Sequence, residues 1–521
     1  MKTADRDRSP DRPGGRIGER PSDRLARWGP AIAVLVLHLA FAPSYGIFRD
    51  ELYYLSCARR LAWGYVDHPP LIAALTALWT SIFGDGLRAL RLLPALAAAA
   101  AAWVTGSTAR AMRGGPFAVA VAGFAYGFAP VVLSLGSVLS MNALDLLFWA
   151  VLVRLLAGGS ERLWWAFGAV AGAGLLNKSS VLFLGFGVVA GLVAARRWEV
   201  FRSPSFWGGG ALAALLLLPH LLWQRTHGWP TLEFMENAQE SKNVALAPLD
   251  FLGSLVGNSG PVQVVLWLIG LGALIFSPAL RRFRPLGFSV LAILAVMLST
   301  AAKPYYFSPS YTILAAAGAV ALEASSARWR RTLLLRGAFS VLLIGLSAMA
   351  APFARPILPV ETYVRYAAWL GETPGTDERK EVGRLPQFYA DMQEWREMAQ
   401  SVARAAAKLS LEERREACVF GQNYGEAGAV EYFGRELGLP PAFSGHNSWF
   451  LWGLGRCGKA AALVVMGNDR ERLAELFEEV ELGATFDCRD CMPYEDDLPV
   501  WIVRRPRQDL AALWPRIKNF S

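Results

Sequence analysis

The 521-residue chain is 54% hydrophobic and 18% charged, with a formal net charge of +9 and a mean hydropathy of +0.30. Soluble chains carry about 25% charged residues, so the composition excludes an ordinary soluble enzyme. The basic residues do not form a nucleic-acid-binding patch. They recur as short arginine runs between apolar stretches such as 211–218 and 286–298, the pattern of cytoplasmic loops in polytopic membrane proteins.

Residues 1–28 are polar, rich in Arg, Asp, Gly and Pro, and predict a disordered cytoplasmic tail. The first apolar run lies too far from Met1 for a signal peptide and is expected to stay as an anchor. Spans of about 20 apolar residues are predicted near 29–47, 87–109, 116–134, 139–157, 163–177, 180–196, 206–222, 262–279, 286–302, 305–322 and 333–350. Segment 69–84 is apolar but brief and predicts an interfacial or re-entrant helix. With the N-terminus inside, Arg110, Arg113, Arg162, Arg196, Arg197, Arg202, Arg281, Arg282, Arg284, Arg328, Arg330 and Arg331 all fall in cytoplasmic loops. Loops 48–86 and 223–261 are then external. A transmembrane domain over 29–350 is followed by an extracytoplasmic region, 351–521.

That last region is a different material. Charges become frequent, and short β-like runs (417–420, 461–466, 500–503) alternate with helical ones (427–437, 470–480), which predicts an α/β domain with its own core. Residues 371–386, with Gly371, Pro374, Gly375 and Gly383, read as a linker. Cys418, Cys457, Cys488 and Cys491 lie in this part, where disulfides are permitted. Cys488-Arg-Asp-Cys491 has CxxC spacing, but Met492-Pro493 follows it instead of a redox helix. Structural disulfides or unpaired thiols are expected.

The chemistry-bearing groups collect at the external ends. The first loop reads Phe48-Arg49-Asp50-Glu51-Leu52-Tyr53-Tyr54, then Gly64-Tyr65-Val66-Asp67-His68-Pro69-Pro70, with an Asp-His pair ahead of two prolines that stiffen the backbone. Asp145 is a carboxylate near the external end of a span, where it needs a cavity or a partner. Lys178 and Lys303 are external lysines in short turns, suited either to a phosphate or to the nearby acids. The loop from Pro219 to Pro230 adds His220, Arg225 and His227. His68, His220 and His227 do not have a recognised metal-ligand spacing, and His38 reads as a packing residue. This set suits transfer of a sugar from an isoprenoid phosphate: a carboxylate takes the acceptor proton and cations stabilise the departing phosphate. Asp50 is the candidate base and Glu51 its rival. A lipid or solute transporter is the alternative, but it would place polar groups at mid-membrane on repeated halves.

At these residues the chain resembles bacterial membrane glycosyltransferases of the GT-C type, in the superfamily of protein O-mannosyltransferases and aminoarabinose transferases (glycosyltransferase family 39-like). The likeness runs through Arg49–Tyr54, Gly64–Leu71, Ser140–Asp145, Gly174–Lys178, Trp223–Pro230 and Lys303–Tyr306. It continues through Tyr424–Ala429 and Ser444–Asn447, and so covers roughly residues 45–510. It implies a GT-C fold of about eleven transmembrane helices with a C-terminal extracytoplasmic α/β domain, in the inner (cytoplasmic) membrane. It implies a polyprenyl-phosphate sugar donor, membrane-lipid contact, and a glycan, lipid or protein acceptor. Asp50 maps onto the family's catalytic aspartate, Asp67 onto its second acidic position and Asp145 onto the membrane acidic position. Tyr54, Tyr65, His68, Lys178 and Lys303 are then candidates for donor or phosphate binding. His68 stands where the aminoarabinose enzymes have lysine, and histidine need not be charged near pH 7. Arg225, His227, Tyr424 and His446 are acceptor or loop-site candidates. Some relatives use a divalent metal, for which Asp50, Asp67 and His68 are the candidate ligands; no cofactor is required by the sequence.

Overall fold

The structure, a computed structural model, describes residues 21–521 apart from Ala245 and Ala301. Of the expected tail, residues 1–20 lie outside the described part, whereas 21–28 are helical: α1 spans Pro21–Ala40. Trp28 and the guanidinium of Arg27 both pack on Trp103 of a neighbouring helix, which explains why the helix starts ahead of the apolar run.

The helices that follow are α2 (Arg49–Ala58), α3 (Leu71–Phe83), α4 (Leu87–Ala111), α5 (Pro116–Gly127), α6 (Pro130–Leu135), α7 (Met141–Gly158), α8 (Leu163–Asn177) and α9 (Val181–Ala194). Next come α10 (Trp198–Phe201), α11 (Pro204–Thr226), α12 (Pro230–Asn237), α13 (Pro248–Ser259), α14 (Pro261–Phe276), α15 (Arg284–Ser299), α16 (Tyr311–Ser326) and α17 (Thr332–Ala354). Helix α4 is central. Its buried alanines, including Ala98, Ala101 and Ala102, let α1, α5, α7 and α16 approach closely.

By length and composition, five helical stretches among the described residues can cross a membrane, or six if the pair α13–α14, bent by 111°, is one span. The expected span 116–134 is two helices, broken where Pro130 cannot continue α5. The expected span 305–322 begins with a 3₁₀ segment, Pro304–Ser310, before α16. Segment 69–84 is the thirteen-residue α3, with Leu78, Ile82 and Phe83 exposed along it. Eleven expected spans thus correspond to helical segments of unequal length, several of them too short to cross alone.

The C-terminal part adds α18 (Val360–Leu370), α19 (Gln387–Ala390), α20 (Trp395–Ala406), α21 (Leu411–Glu416) and α22 (Tyr424–Leu437). Its strands are β1 (Cys418–Phe420), β2 (Ala442–Phe443), β3 (Ala462–Met466), β4 (Phe477–Phe486) and β5 (Leu498–Pro506). The sheet order is β2-β1-β3-β5-β4, parallel through β2, β1 and β3 and antiparallel through β3, β5 and β4. The helix expected over 470–480 is only half helix: Arg470–Leu476 is helical, and β4 begins at Phe477 because it pairs with β5. Helix α20 buries Trp395, Met398, Ala399, Val402, Ala405 and Ala406, one face of a 3.6-residue repeat.

One hydrophobic cluster joins this sheet to the helical bundle. It contains Leu52 and Leu55 of α2, Leu90 of α4 and Leu144 of α7 together with Trp395, Val402, Val464 and Val500. A second cluster (Phe443, Leu463, Trp501, Leu513) fills the far face of the sheet. The sheet therefore shares a core with the bundle on one side and has its own on the other. Cys418 is bonded to Cys457 and Cys488 to Cys491, and Cys57 is free and buried.

Candidate functional site

Three consecutive side chains leave the first turn of α2, and helical geometry sends each about 100° round from the last. Glu51 points into the bundle and is fully buried. Its carboxylate accepts the backbone N–H groups of Phe48 (2.8 Å) and Leu139 (2.9 Å) and pairs with Arg91 at 3.2 Å. Arg91 in turn donates to the carbonyls of Ala42, Ser44 and Gly46. Glu51, expected to rival Asp50 as a base, has both carboxylate oxygens committed to partners inside the bundle.

Asp50 points the other way. Its Oδ1 accepts the hydroxyl of Tyr424 at 2.8 Å and lies 3.7 Å from Arg49 Nε, and 33% of its side chain remains exposed. Arg49 bridges to Asp391 (3.3 Å) and donates to the Tyr494 hydroxyl (3.1 Å). Burial works against its charge, but Asp391, Tyr424, Tyr494 and Asp50 outweigh burial and hold it protonated.

Tyr424 reaches Asp50 because α22 lies directly on α2. Asn423 caps α22 by accepting the N–H groups of Gly425 and Glu426. A Cβ on Gly425 would stand 2.6 Å from Arg49 Cγ, and one on Gly428 would meet the Leu52 backbone at 3.3 Å. Only glycine permits that approach. The Tyr424 ring lies 4.7 Å from Tyr53 and 4.8 Å from His446. His446 accepts the Tyr424 N–H at Nδ1 (3.2 Å), leaving Nε2 to donate to the Ser521 carbonyl (2.9 Å). Burial pushes His446 down to about 3, so it is neutral and props the tyrosine.

Asp67 accepts the Tyr53 hydroxyl at 2.7 Å, and Ser448 lies 2.8 Å from the same oxygen. Burial raises the Asp67 carboxyl, while His68 and Tyr53 oppose the shift. His68 is buried, stacked on Tyr65 at 4.6 Å and 5.1 Å from the ring of Tyr54. Its Nδ1 donates to the Pro69 carbonyl (2.8 Å) and Nε2 faces Cys57 Sγ at 3.6 Å. Burial also lowers its pKa, so it supplies no charge to a phosphate. The Tyr65 hydroxyl is held by the Cys57 and Arg60 carbonyls. His68, Tyr54 and Tyr65, expected at the donor, pack against one another in the loop. The ligand set Asp50, Asp67 and His68 does not fit a metal either, because both ring nitrogens of His68 face protein atoms. Among the described residues no group of three His, Cys, Asp or Glu could hold one.

Asp145 is buried and accepts the Ser180 hydroxyl at 2.6 Å. Lys178 donates to Asn142 and sits 4.6 Å above the ring of Tyr306. Lys303 lies 3.7 Å from Glu378, and Lys242 lies 3.6 Å from the same carboxylate oxygen. Arg225 and His227 are exposed at the end of α11, with His227 stacked on its own helix's Trp223. The residues of that helix which do reach the first loop are His220, donating to the Trp63 carbonyl, and Gln224, donating to the Tyr65 carbonyl. The acceptor expectation for Arg225 and His227 is not met by any contact to the site, and His38 is a packing residue, clamped by Arg355.

Beside Asp50 a cavity of about 640 Å³ opens between α12, the linker and the sheet, walled by Arg49, Lys242, Glu378, Tyr424, Glu426 and His446. Of the sequence candidates, Tyr424 and His446 line this cavity, Asp50 adjoins it through Tyr424 and Arg49, and Lys303 reaches it through Glu378. Arg49, Lys242, Glu378, Asp391, Arg91 and Ser448 were not singled out, although Arg49 sits inside a motif that was.

Residues 67–223 match the family model described as dolichyl-phosphate-mannose-protein mannosyltransferase. This match covers less than half of the chain. The fold agrees over nearly its whole length. ArnT from Cupriavidus metallidurans, solved bound to undecaprenyl phosphate, aligns with a TM-score of 0.58 at 15% identity, covering 91% of this chain and 96% of that one. Its apo form aligns at 0.59 and 13% identity, covering 93% and 97%. Among curated proteins, none matches this sequence significantly. The family match begins at Asp67 and closes at Trp223 on α11, so it covers the segments that carry Asp145 and Lys178. Asp50, Lys303 and the sheet that carries Tyr424 lie outside it.

Proposed function

We propose that this chain is a glycosyltransferase that moves a sugar from a polyprenyl-phosphate-linked donor to a lipid, glycan or protein acceptor at the extracytoplasmic face of the cytoplasmic membrane, with Asp50 as the base. The observation that carries the reading is the Asp50 carboxylate, fixed by Tyr424 and Arg49 yet part-exposed beside a cationic cavity. The acceptor oxygen attacks C1 of the sugar, its proton passes to Asp50, and the C1–O bond to phosphate breaks. The electron pair leaves with the polyprenyl phosphate, whose charge a lysine or arginine stabilises as it develops. Arg49, Lys242 and Lys303 are the nearest cations, and Lys178 stands beside Tyr305 and Tyr306 on the same 3₁₀ segment that Lys303 precedes. That ArnT has been solved with undecaprenyl phosphate supports a donor of this class.

Orientation rests on charge. The arginine-rich loops at 110–113, 196–202, 281–284 and 328–331 alternate along the chain with the loops that carry the site, and the positive-inside rule assigns the arginine-rich set to the cytoplasm. Purified protein incubated with a panel of polyprenyl-phosphate sugars and candidate acceptors is expected to release polyprenyl phosphate, and a folded Asp50→Asn variant is expected not to. Full turnover by that variant would remove Asp50 from the mechanism.

A further inference from the structure

The linker 371–386 lines the cavity at Glu378, Arg379 and Lys380 and is fastened to the segment after α12. Glu378 forms an antiparallel bridge with Asn243, the Arg379 N–H donates to the Lys242 carbonyl at 2.8 Å, and the Arg379 guanidinium donates to the carbonyls of Glu240 and Asn243. This backbone zipper delivers one carboxylate into a surplus of positive charge. Oε1 of Glu378 takes Lys242 at 3.6 Å and Lys303 at 3.7 Å, while Oε2 accepts from Gln387 at 3.1 Å. Both lysine distances exceed those of a direct charge-assisted hydrogen bond, and the other carboxylates that act on them, Asp50 on Lys242 and Asp377 on Lys303, form no closer ion pair among the described residues.

The surrounding electrostatics agree. Burial raises Glu378, but Lys242, Arg49 and Lys303 overcome it and bring the carboxyl down to about 2. Burial depresses Lys242, and despite Glu378 the repulsion from Arg49 and Lys303 keeps it low. Arg49 has Asp391 and Asp50 as further partners, whereas Lys242 and Lys303 share one oxygen of Glu378, and a phosphate brings more acceptor oxygens than the carboxylate it would replace.

We propose that Glu378 is an internal stand-in for a phosphate: its carboxylate occupies the Lys242–Lys303 pair until the phosphate of the lipid-linked donor displaces it. This rests on the donor reading above and adds Lys242 to the phosphate site, with the linker as the element that yields. Removing the stand-in should strengthen phosphate binding, whereas a merely structural glutamate would weaken the protein or leave binding unchanged.

The test is equilibrium binding of polyprenyl phosphate to the purified full-length protein in detergent, with inorganic phosphate as a parallel arm. Glu378→Gln is expected to tighten polyprenyl phosphate binding by about fivefold, the order set by one partly exposed ion pair. Lys242→Met is expected to weaken it, and the double variant to lose the gain. Gln387→Ala, which frees Oε2 without changing charge, should shift binding in the same direction as Glu378→Gln by a smaller factor and serves if the first variant does not fold. Tightening for polyprenyl phosphate alone assigns the site to the lipid donor. Tightening for inorganic phosphate alone would overturn the assignment to the lipid donor. Unchanged or weaker binding by both folded variants, with wild type binding normally, would overturn the stand-in and leave the donor reading intact. No polyprenyl phosphate binding by wild type would sink both.

Discussion

The hydroxyl of Tyr424 donates a 2.8 Å hydrogen bond to Oδ1 of Asp50, joining residues 374 positions apart. It ties the C-terminal sheet to the first loop at the one carboxylate of α2 that is not buried in the bundle. A hydrogen bond to a charged group contributes about 1.5–3 kcal/mol. If it orients Asp50 for proton transfer, Tyr424→Phe should lower kcat by about tenfold or more with little change in KM, because the lost donor acts on the base and not on substrate affinity. Asp50→Asn should lower kcat by about 10²–10⁴, the usual contribution of a positioned general base. Steady-state kinetics on both variants check this, and equal kcat in Tyr424→Phe and wild type would dismiss the orienting role.

Glu51 gives the opposite pattern one residue away. It and Arg91 form a buried ion pair that also binds the backbone of Phe48, Leu139 and three carbonyls of 42–46. Breaking a buried pair by removing one partner costs about 3–5 kcal/mol. Glu51→Ala and Arg91→Leu should therefore fail in stability, with a lowered Tm or poor recovery from membranes, whereas Asp50→Asn should retain the wild-type Tm. A stable but inactive Glu51→Ala protein would restore Glu51 as a rival base.

His446 makes the contact between Tyr424 and residues 519–521 sensitive to acid. Its folded pKa, about 3, is depressed below the ordinary 6.5 by burial. Between those values the unfolded chain binds a proton that the folded chain does not, so stability falls as pH drops from 6.5 towards 3. At pH 5 the loss from this one group approaches about 2 kcal/mol relative to neutral pH. Thermal unfolding at pH 7 and pH 5 should show a smaller acid loss for His446→Gln than for wild type. An identical loss in both would mean that His446 is not the group responsible.

What was legible in the sequence follows from what leaves a local trace. Apolar runs and arginine spacing mark the helical segments, and β1, β3, β5 and α22 fall close to where alternation and periodicity put them. Glu51 and Asp50 look equivalent in sequence because the difference between them is the partner each finds, Arg91 forty residues on and Tyr424 in another layer. Lys242 and Glu378 carried no signal, since an ion pair between two loops has no periodicity. The motif position of His68 suggests a phosphate contact, whereas its burial against Tyr65, which lowers its pKa, leaves no local trace. Strand β4 was misread in its first residues as helix because Arg470–Leu476 starts a good helical pattern that pairing with β5 then ends.

The cysteines offer a check on orientation that does not depend on activity. Cys418 and Cys457 are bonded across 39 residues, from β1 to the turn before β3, and Cys488 is bonded to Cys491. Such bonds persist in an oxidising compartment and are kept reduced in the cytoplasm. If the sheet is extracytoplasmic, protein taken from cells, denatured and alkylated without reductant should react at Cys57 alone among its 5 cysteines, and at all of them after reduction. Full labelling without reductant would place the sheet in the cytoplasm and reverse the topology. Closing a loop of this length stabilises a fold by about 4 kcal/mol in the chain-entropy account. The Cys418→Ala/Cys457→Ala variant should accordingly unfold its sheet at lower denaturant, and since the sheet supplies Tyr424, loss of glycosyl transfer should track that unfolding.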